Sequence, residues 1–193
     1  MQFIVIFGPP AVGKMAVGRA IEAATGLRLF HNHMAIEPVL RFFPFGSPPF
    51  FRLVDGFRQR MFEEVAGSDL PGLIFTFVWN LDAADDTAFL ERTCRTFTQR
   101  GHSVAFVELT AELDTRLIRN RTAERLAEKP SKRNLEASQH ILLDLEKYRL
   151  NSDGSIPLPH RHILIDNTAL SPQTVADLVV DALGLPRVQD EPT

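Results

Sequence analysis

The chain has 193 residues, 45% hydrophobic and 23% charged, with a formal net charge of −3. That length and balance suit one α/β domain and exclude global disorder, while the mild acidity gives no reason to expect a nucleic-acid or membrane partner. The one cysteine, Cys94, allows no internal disulfide, and no apolar run approaches the ~18 residues of a membrane span.

Gln2 to Phe7 is a nearly continuous run of strand formers, too short and without a basic leader for a signal peptide, so a cytoplasmic chain is expected. A glycine-rich turn leads into a predicted helix from Lys14 to about Ala24, closed by Gly26. A short strand follows at Leu27–Phe30. Ala35 to Gly67 reads as helical pieces broken by Pro44, Pro48 and Pro49. Leu73–Val78 is the next strand, and Asp82 reads as the cap of a helix carrying Phe89, Leu90, Cys94 and Phe97. Val104–Val107 is a strand, then helices from about Ala111 to Glu128 and Leu135 to Leu150, then a strand at His162–Ile165. The last helix is capped by Ser171, takes Pro172 in its first turn, lines one face with Val175, Leu178, Val179 and Ala182, and stops at Gly184. Strands alternating with helices predict a parallel sheet covered on both faces, with the ligand at the carboxyl ends of its strands. Residues 1–186 read as one domain, with a helical region at about 34–68, a lid at about 116–134, and a loose tail at 187–193.

Gly8, Pro9, Pro10, Ala11, Val12, Gly13 and Lys14 fit the G-x-x-x-x-G-K part of a phosphate-binding loop, with a strand before and a helix after. Glycines there let successive N–H groups turn inward, the helix points its positive end at the phosphates, and the lysine adds a point charge. The next residue, Met15, departs from the pattern, which asks for Ser or Thr to place a hydroxyl on Mg²⁺. Three explanations follow: a metal held through water and carboxylates, slow catalysis, or binding without turnover.

Four segments, Phe7-Gly-Pro-Pro-Ala-Val-Gly-Lys-Met15, Leu29-Phe-His-Asn-His-Met34, Lys129-Pro-Ser-Lys-Arg133 and Ile165-Asp-Asn-Thr168, carry a resemblance that extends over nearly the whole chain. The chain resembles the P-loop small-molecule kinases, the group of shikimate kinase, gluconate kinase, chloramphenicol phosphotransferase and the nucleoside monophosphate kinases. Within that group it is similar to bacterial proteins labelled shikimate-kinase-like or AAA-type ATPases. The resemblance implies a five-stranded parallel sheet in the order 2-3-1-4-5, an arginine-bearing lid, and transfer of the ATP γ-phosphate to a small acceptor. ATP and Mg²⁺ are the implied cofactors, and a monomer or homodimer the expected state. Shikimate kinase carries an Asp-x-Asp pair where this chain has His31, Asn32 and His33, so its substrate does not carry over.

His31 or His33 could take the proton of an acceptor hydroxyl or, with Asn32, position it; ordinary loop histidines would look the same in sequence. A basic stretch of Arg116, Arg119, Arg121, Arg125, Lys129, Lys132 and Arg133 reads either as a lid that steadies the transferring phosphoryl group or as a solvated helix face. Placement in the kinase group favours Arg119, Arg121 and Arg125. Seven phenylalanines lie between Phe42 and Phe62, where an apolar acceptor pocket with Arg52 and Arg58 on an anionic group competes with simple core packing. Asp166 and Asn167, after the last strand, would lie near the base. No metal-ligating cluster is predicted. The leading expectation is an ATP-dependent phosphotransferase; a nucleoside triphosphatase and a nucleotide-binding regulatory module are the alternatives.

Overall fold

Strand β1 (Gln2–Phe7) sends alternate side chains to opposite faces of a sheet, and both faces are apolar. Phe3, Val5 and Phe7 enter one core, while Ile4 and Ile6 enter the other. A strand buried on both sides belongs at the centre of a parallel sheet. The computed structural model, which describes residues 1–188 apart from the side chains at 124 and 125, places it there. With β2 (Arg28–His31), β3 (Gly72–Phe77), β4 (Ser103–Thr110) and β5 (Arg161–Asp166) it forms a five-stranded parallel sheet in the order β2-β3-β1-β4-β5. Phe7 pairs with Phe77 and Glu108, and Thr110 with Asp166, so the strands end along one rim.

The two cores differ in kind. Helices α1 (Lys14–Thr25) and α8 (Pro172–Leu183) cover an aliphatic face of Ile4, Ile6, Val17, Ile21, Ile74, Val107, Val175 and Val179. Gly18 lets α1 lie close, since a Cβ there would stand 2.7 Å from Leu29 Cδ1. The other face is aromatic and lies under α3 (Pro48–Ala66) and α4 (Ala84–Thr98). Phe62 meets Phe3, Phe30, Phe75, Phe89 and Phe97, and Phe3 stacks on Phe97 at 4.1 Å.

Several boundaries depart from the sequence expectation for identifiable reasons. Pro48 and Pro49 start α3 rather than break it, because a first-turn proline has no N–H to waste. Helix α2 is His33–Leu40, and the break falls around Pro44. Asp82 does not cap α4: it receives Arg149 Nε at 2.9 Å, and Asp86 Oδ2 takes the Asn80 N–H at 2.9 Å instead. The expected helix from Ala111 to Glu128 is two, α5 (Leu113–Arg119) and α6 (Ala123–Glu128). Between them, buried Asn120 accepts from Ser138 Oγ, and the Thr122 hydroxyl donates to the Arg119 carbonyl, competing with helical backbone bonds. Helix α7 (Leu135–Asp144) is followed by a 3₁₀ turn at Leu145–Lys147. On α8 the buried face is Val175, Ala176, Val179 and Val180, with Leu178 exposed. The start of the expected tail is tied down, with Arg187 on Asp177 and Asp181 and the Val188 N–H on the Ala24 carbonyl; 189–193 lie outside the described residues.

Replacing Phe62 by Ala should destabilise the fold by about 3–5 kcal/mol, because it empties the centre of the aromatic cluster. Urea unfolding should show a lower midpoint at an unchanged slope.

Candidate functional site

The loop from Gly8 to Gly13 is built from backbone conformations that most residues avoid. Gly8 has φ 136°, Gly13 φ 114°, and Ala11 a positive φ of 61°. A Cβ on Gly8 would lie 2.3 Å from the Leu109 carbonyl oxygen, so only glycine fits between the loop and β4. The loop's carbonyls are held by cations and amides. Lys14 Nζ donates to the Gly8 and Pro9 carbonyls at 2.6 and 2.7 Å. The Val12 carbonyl receives Asn167 Nδ2 at 2.8 Å and Arg119 Nη1 at 3.0 Å. Arg119 also donates to Asn167 Oδ1, Asn167 O and Thr168 O, which ties α5 and the end of β5 to the back of the loop.

In front of the loop lies a cavity of about 330 Å³. One end is formed by Arg119, Asn167, Leu170 and Pro172, the middle by Pro10, Ala11, Gly13, Lys14 and Met15, and the other by Asn32, His33, Thr76 and Phe77. Lys129 and Lys132 join the wall from the segment after α6. Among the described residues no aspartate or glutamate lines the cavity, and Met15 brings no hydroxyl. The cradle therefore fits a polyanionic phosphate chain, but its donors do not fit a directly coordinated Mg²⁺, which would reach the site on the nucleotide's own phosphates and water. Among the described residues no group of three His, Cys, Asp or Glu could hold a metal ion.

The segment of α6 and the 3₁₀ turn Pro130–Lys132, within the region expected to form a lid, is fastened to the sheet side by carboxylates. Glu128 pairs with Arg19 of α1 at 2.5 Å and lies 3.6 Å from His31 Nε2. Glu37 of α2 takes the Ser131 hydroxyl at 2.5 Å and its N–H at 3.1 Å. Glu37 also lies 2.8 Å from His33 Nδ1. Burial, with the Lys129 and Lys132 charges adding to it, pushes His33 down to about 4 against the raising effect of Glu37. Burial would raise Glu37, and the hydrogen bonds from His33 and Ser131 outweigh it, keeping the carboxyl below its ordinary value. The pair is thus a neutral imidazole donating to a carboxylate.

The sequence-stretch candidates separate sharply. Pro10, Ala11, Gly13, Lys14, Met15, Asn32, His33, Arg119 and Asn167 come together around the cavity. Gly8, Pro9 and Val12 act behind it through their carbonyls. His31 does not join the wall: it is 7% exposed beside Glu128, and burial followed by the Lys129 charge lowers its pKa. Arg119 braces the loop rather than reaching across it. Arg121 points outward to Gln139 Oε1, because the break at Asn120 turns α6 away from the line of α5. The side chain of Arg125 lies outside the described residues. Arg116 is buried in a bidentate pair with Glu146. Asp166 is exposed and bonds Thr168. Arg52 is exposed on α3, whereas Arg58 is buried, donating to Asp55 and Asn32 and lying over the Phe89 ring. None of the seven phenylalanines from Phe42 to Phe62 lines the cavity.

Sequence reasoning missed Glu37, Thr76 and Ser131 as parts of the site, and counted Lys129 and Lys132 only within a basic stretch. The four-residue spacing of His33 and Glu37 on one helix was the available signal. It also missed Glu108, fully buried on β4, which receives the Asn151 amide, the Ser152 N–H and hydroxyl, and lies 2.9 Å from His162 Nε2. That cluster holds the 151–152 segment against the sheet.

Comparison with solved structures gives the fold its relatives. A sugar kinase from Janibacter sp. HTCC2649 is 14% identical, with 96% of this chain and 95% of that one covered at a TM-score of 0.59. A shikimate kinase from Acinetobacter baumannii in complex with shikimate is 17% identical over 94% and 92%, also at 0.59. A tunicamycin resistance protein from Deinococcus radiodurans is 22% identical over 98% and 99%, at 0.54. The chain therefore shares the fold of a P-loop small-molecule kinase group. No protein-family model matches it, and no curated protein does. No helix among the described residues is long and apolar enough to cross a membrane.

Asn167→Ala should cost about 1–3 kcal/mol in urea unfolding, since it strips an amide from the Val12 carbonyl and an acceptor from half-buried Arg119. Stability should also fall as pH drops from about 6.5 to about 4. The unfolded chain takes up a proton at His33 in that window and the folded chain does not. His33→Asn should flatten this part of a stability–pH curve.

Proposed function

We propose that the protein is an ATP-dependent phosphotransferase that moves the γ-phosphate to a hydroxyl of a small metabolite. The observation that carries this reading is the cavity that runs from the glycine-rich loop to His33, with lysines and, among the described residues, no carboxylate on its wall. A chain of phosphates fits its middle, where the loop and the start of α1 present N–H groups and Lys14. Phosphate oxygens would take the place of the Gly8 and Pro9 carbonyls on Lys14. The base would sit at the Arg119, Asn167, Leu170 and Pro172 end. The acceptor would sit at the opposite end, beside Asn32 and His33, the histidine taking the hydroxyl proton.

Phosphoryl transfer needs positioning and positive charge around the equatorial oxygens more than covalent chemistry. Lys129 and Lys132 are placed to supply that charge, whereas Arg119 acts through the loop it braces. Buried Arg58 holds Asn32 by its side-chain oxygen and so supports the acceptor end from behind. The resemblance to small-molecule kinases in fold supports the reaction class, and the acceptor's identity is not part of the reading. A second reading, a nucleotide-binding regulatory module, is favoured by Met15, which brings no hydroxyl at the position where the loop pattern places one for Mg²⁺, and by the lack of a carboxylate among the described residues of the wall.

Titration calorimetry with Mg–ATP should give binding to the wild type that Lys14→Ala loses or weakens at least ten-fold, equivalent to about 1.4 kcal/mol. Slow hydrolysis that accelerates only with a metabolite hydroxyl would support transfer. Steady hydrolysis without an acceptor would replace transfer by a triphosphatase, and tight binding with no turnover under any acceptor would favour the regulatory module.

A further inference from the structure

The carboxylate of Glu37 is shared between the cavity wall and the lid. Oε1 lies 2.8 Å from His33 Nδ1 and 2.5 Å from the Ser131 hydroxyl, and Oε2 takes the Ser131 N–H at 3.1 Å. His33 and Glu37 sit one turn apart on α2, whereas Ser131 arrives from the turn between Lys129 and Lys132. An ionised carboxylate only accepts hydrogen bonds, so the ring nitrogen facing it carries the proton. The lone pair of His33 is then on Nε2, and His33 is part of the cavity wall beside Lys14, Asn32 and Thr76. A histidine without such a partner would exchange between tautomers, and one of them would offer the acceptor a second donor instead of an acceptor.

We propose that Glu37 is a positioning residue that couples the lid to the proton acceptor: one carboxylate orients His33 with Nε2 as the basic atom and holds the lid shut through Ser131. The inference rests on the phosphotransferase reading. In the transfer step the acceptor oxygen bonds to the γ-phosphorus as the bond from that phosphorus to the β–γ bridging oxygen breaks. The electron pair of that bond leaves with ADP. The hydroxyl proton passes to His33 Nε2, and the resulting imidazolium keeps its Nδ1–H on Glu37. Opening of the lid withdraws two of the three donors from Glu37 and lets the proton return to water. Because a loose transition state releases the hydroxyl proton late, a weak base suffices. A ring held at about 4 is as weak as a carboxylate yet brings no negative charge beside the γ-phosphate.

The test is nitrogen NMR of ¹⁵N-histidine-labelled full-length protein, with His33→Asn used to assign the ring. Wild type should show His33 as the Nδ1–H tautomer, and Glu37→Ala should convert it to a mixture or to the Nε2–H form. Glu37→Gln should retain the tautomer, since the amide oxygen still accepts from Nδ1, but turn its NH₂ against the Ser131 N–H. That variant and Ser131→Ala should therefore keep the ring as it is while weakening a non-hydrolysable ATP analogue about five-fold, the loss of roughly one hydrogen bond. An Nε2–H tautomer in the wild type, or analogue affinity unchanged in both lid variants, would overturn the proposal. The tautomer is read without nucleotide, so a wild type with the expected ring that fails to bind the analogue would sink the phosphotransferase reading instead.

Discussion

The Val12 carbonyl, held from behind by Asn167 and Arg119, is the contact on which the site depends. A loop that points its N–H groups at a ligand necessarily points carbonyls the other way, and buried carbonyls need donors. Lys14 meets the Gly8 and Pro9 carbonyls, while Asn167 and Arg119 meet that of Val12. Asn167 is itself fixed by its N–H on the Thr110 carbonyl, so the loop after β1 is braced by the ends of β4 and β5. The parallel order β3-β1-β4-β5 makes this possible, because it brings the ends of strands distant in sequence to one rim.

The unequal faces of the sheet extend the same logic outward. Small aliphatic side chains under α1 and α8 let those helices lie close to the strands, which keeps the phosphate loop and the 167–172 segment in register. The aromatic face needs more room, and the long α3 and α4 supply it. Buried Arg58 rises from that side to hold Asn32, while Glu128 and Ser131 reach Arg19, His31 and Glu37. The Asn32–His33 end of the cavity is thereby held by two different layers, one apolar and one ionic. Ionic fastenings that are partly exposed are weak singly.

Much of this was legible in the residues. Strand β1 matched at both ends because a continuous apolar run bounded by glycine admits little else, and Gly26 and Gly184 marked helix ends that need a left-handed residue. Asp82, Pro48 and the 111–128 segment misled because each signal has two uses: an acid before a helix can cap it or pair with a cation, and a proline can end one helix or begin the next. For Asp82 and the 111–128 segment the deciding partners were Arg149 and Ser138, neither of them visible as a partner in a linear pattern.

The sequence by itself determined the turn from Gly8 to Lys14, since its shape is a matter of seven consecutive residues whose backbone preferences and charge travel with them. It also determined the alternation of strand and helix, and hence the rim at which a ligand binds. Only the tertiary structure decided which cations and histidines face the cavity at that rim. Arg119 and Arg121 are two residues apart, yet one braces the loop and the other faces Gln139, because a helix break between them redirects the chain. His31 and His33 are also two apart, and the passage from strand to helix sends one to Glu128 and the other to the cavity. Direction in space depends on the path of the backbone and on contacts from residues as far off as Ser131, and the identity of a side chain carries neither.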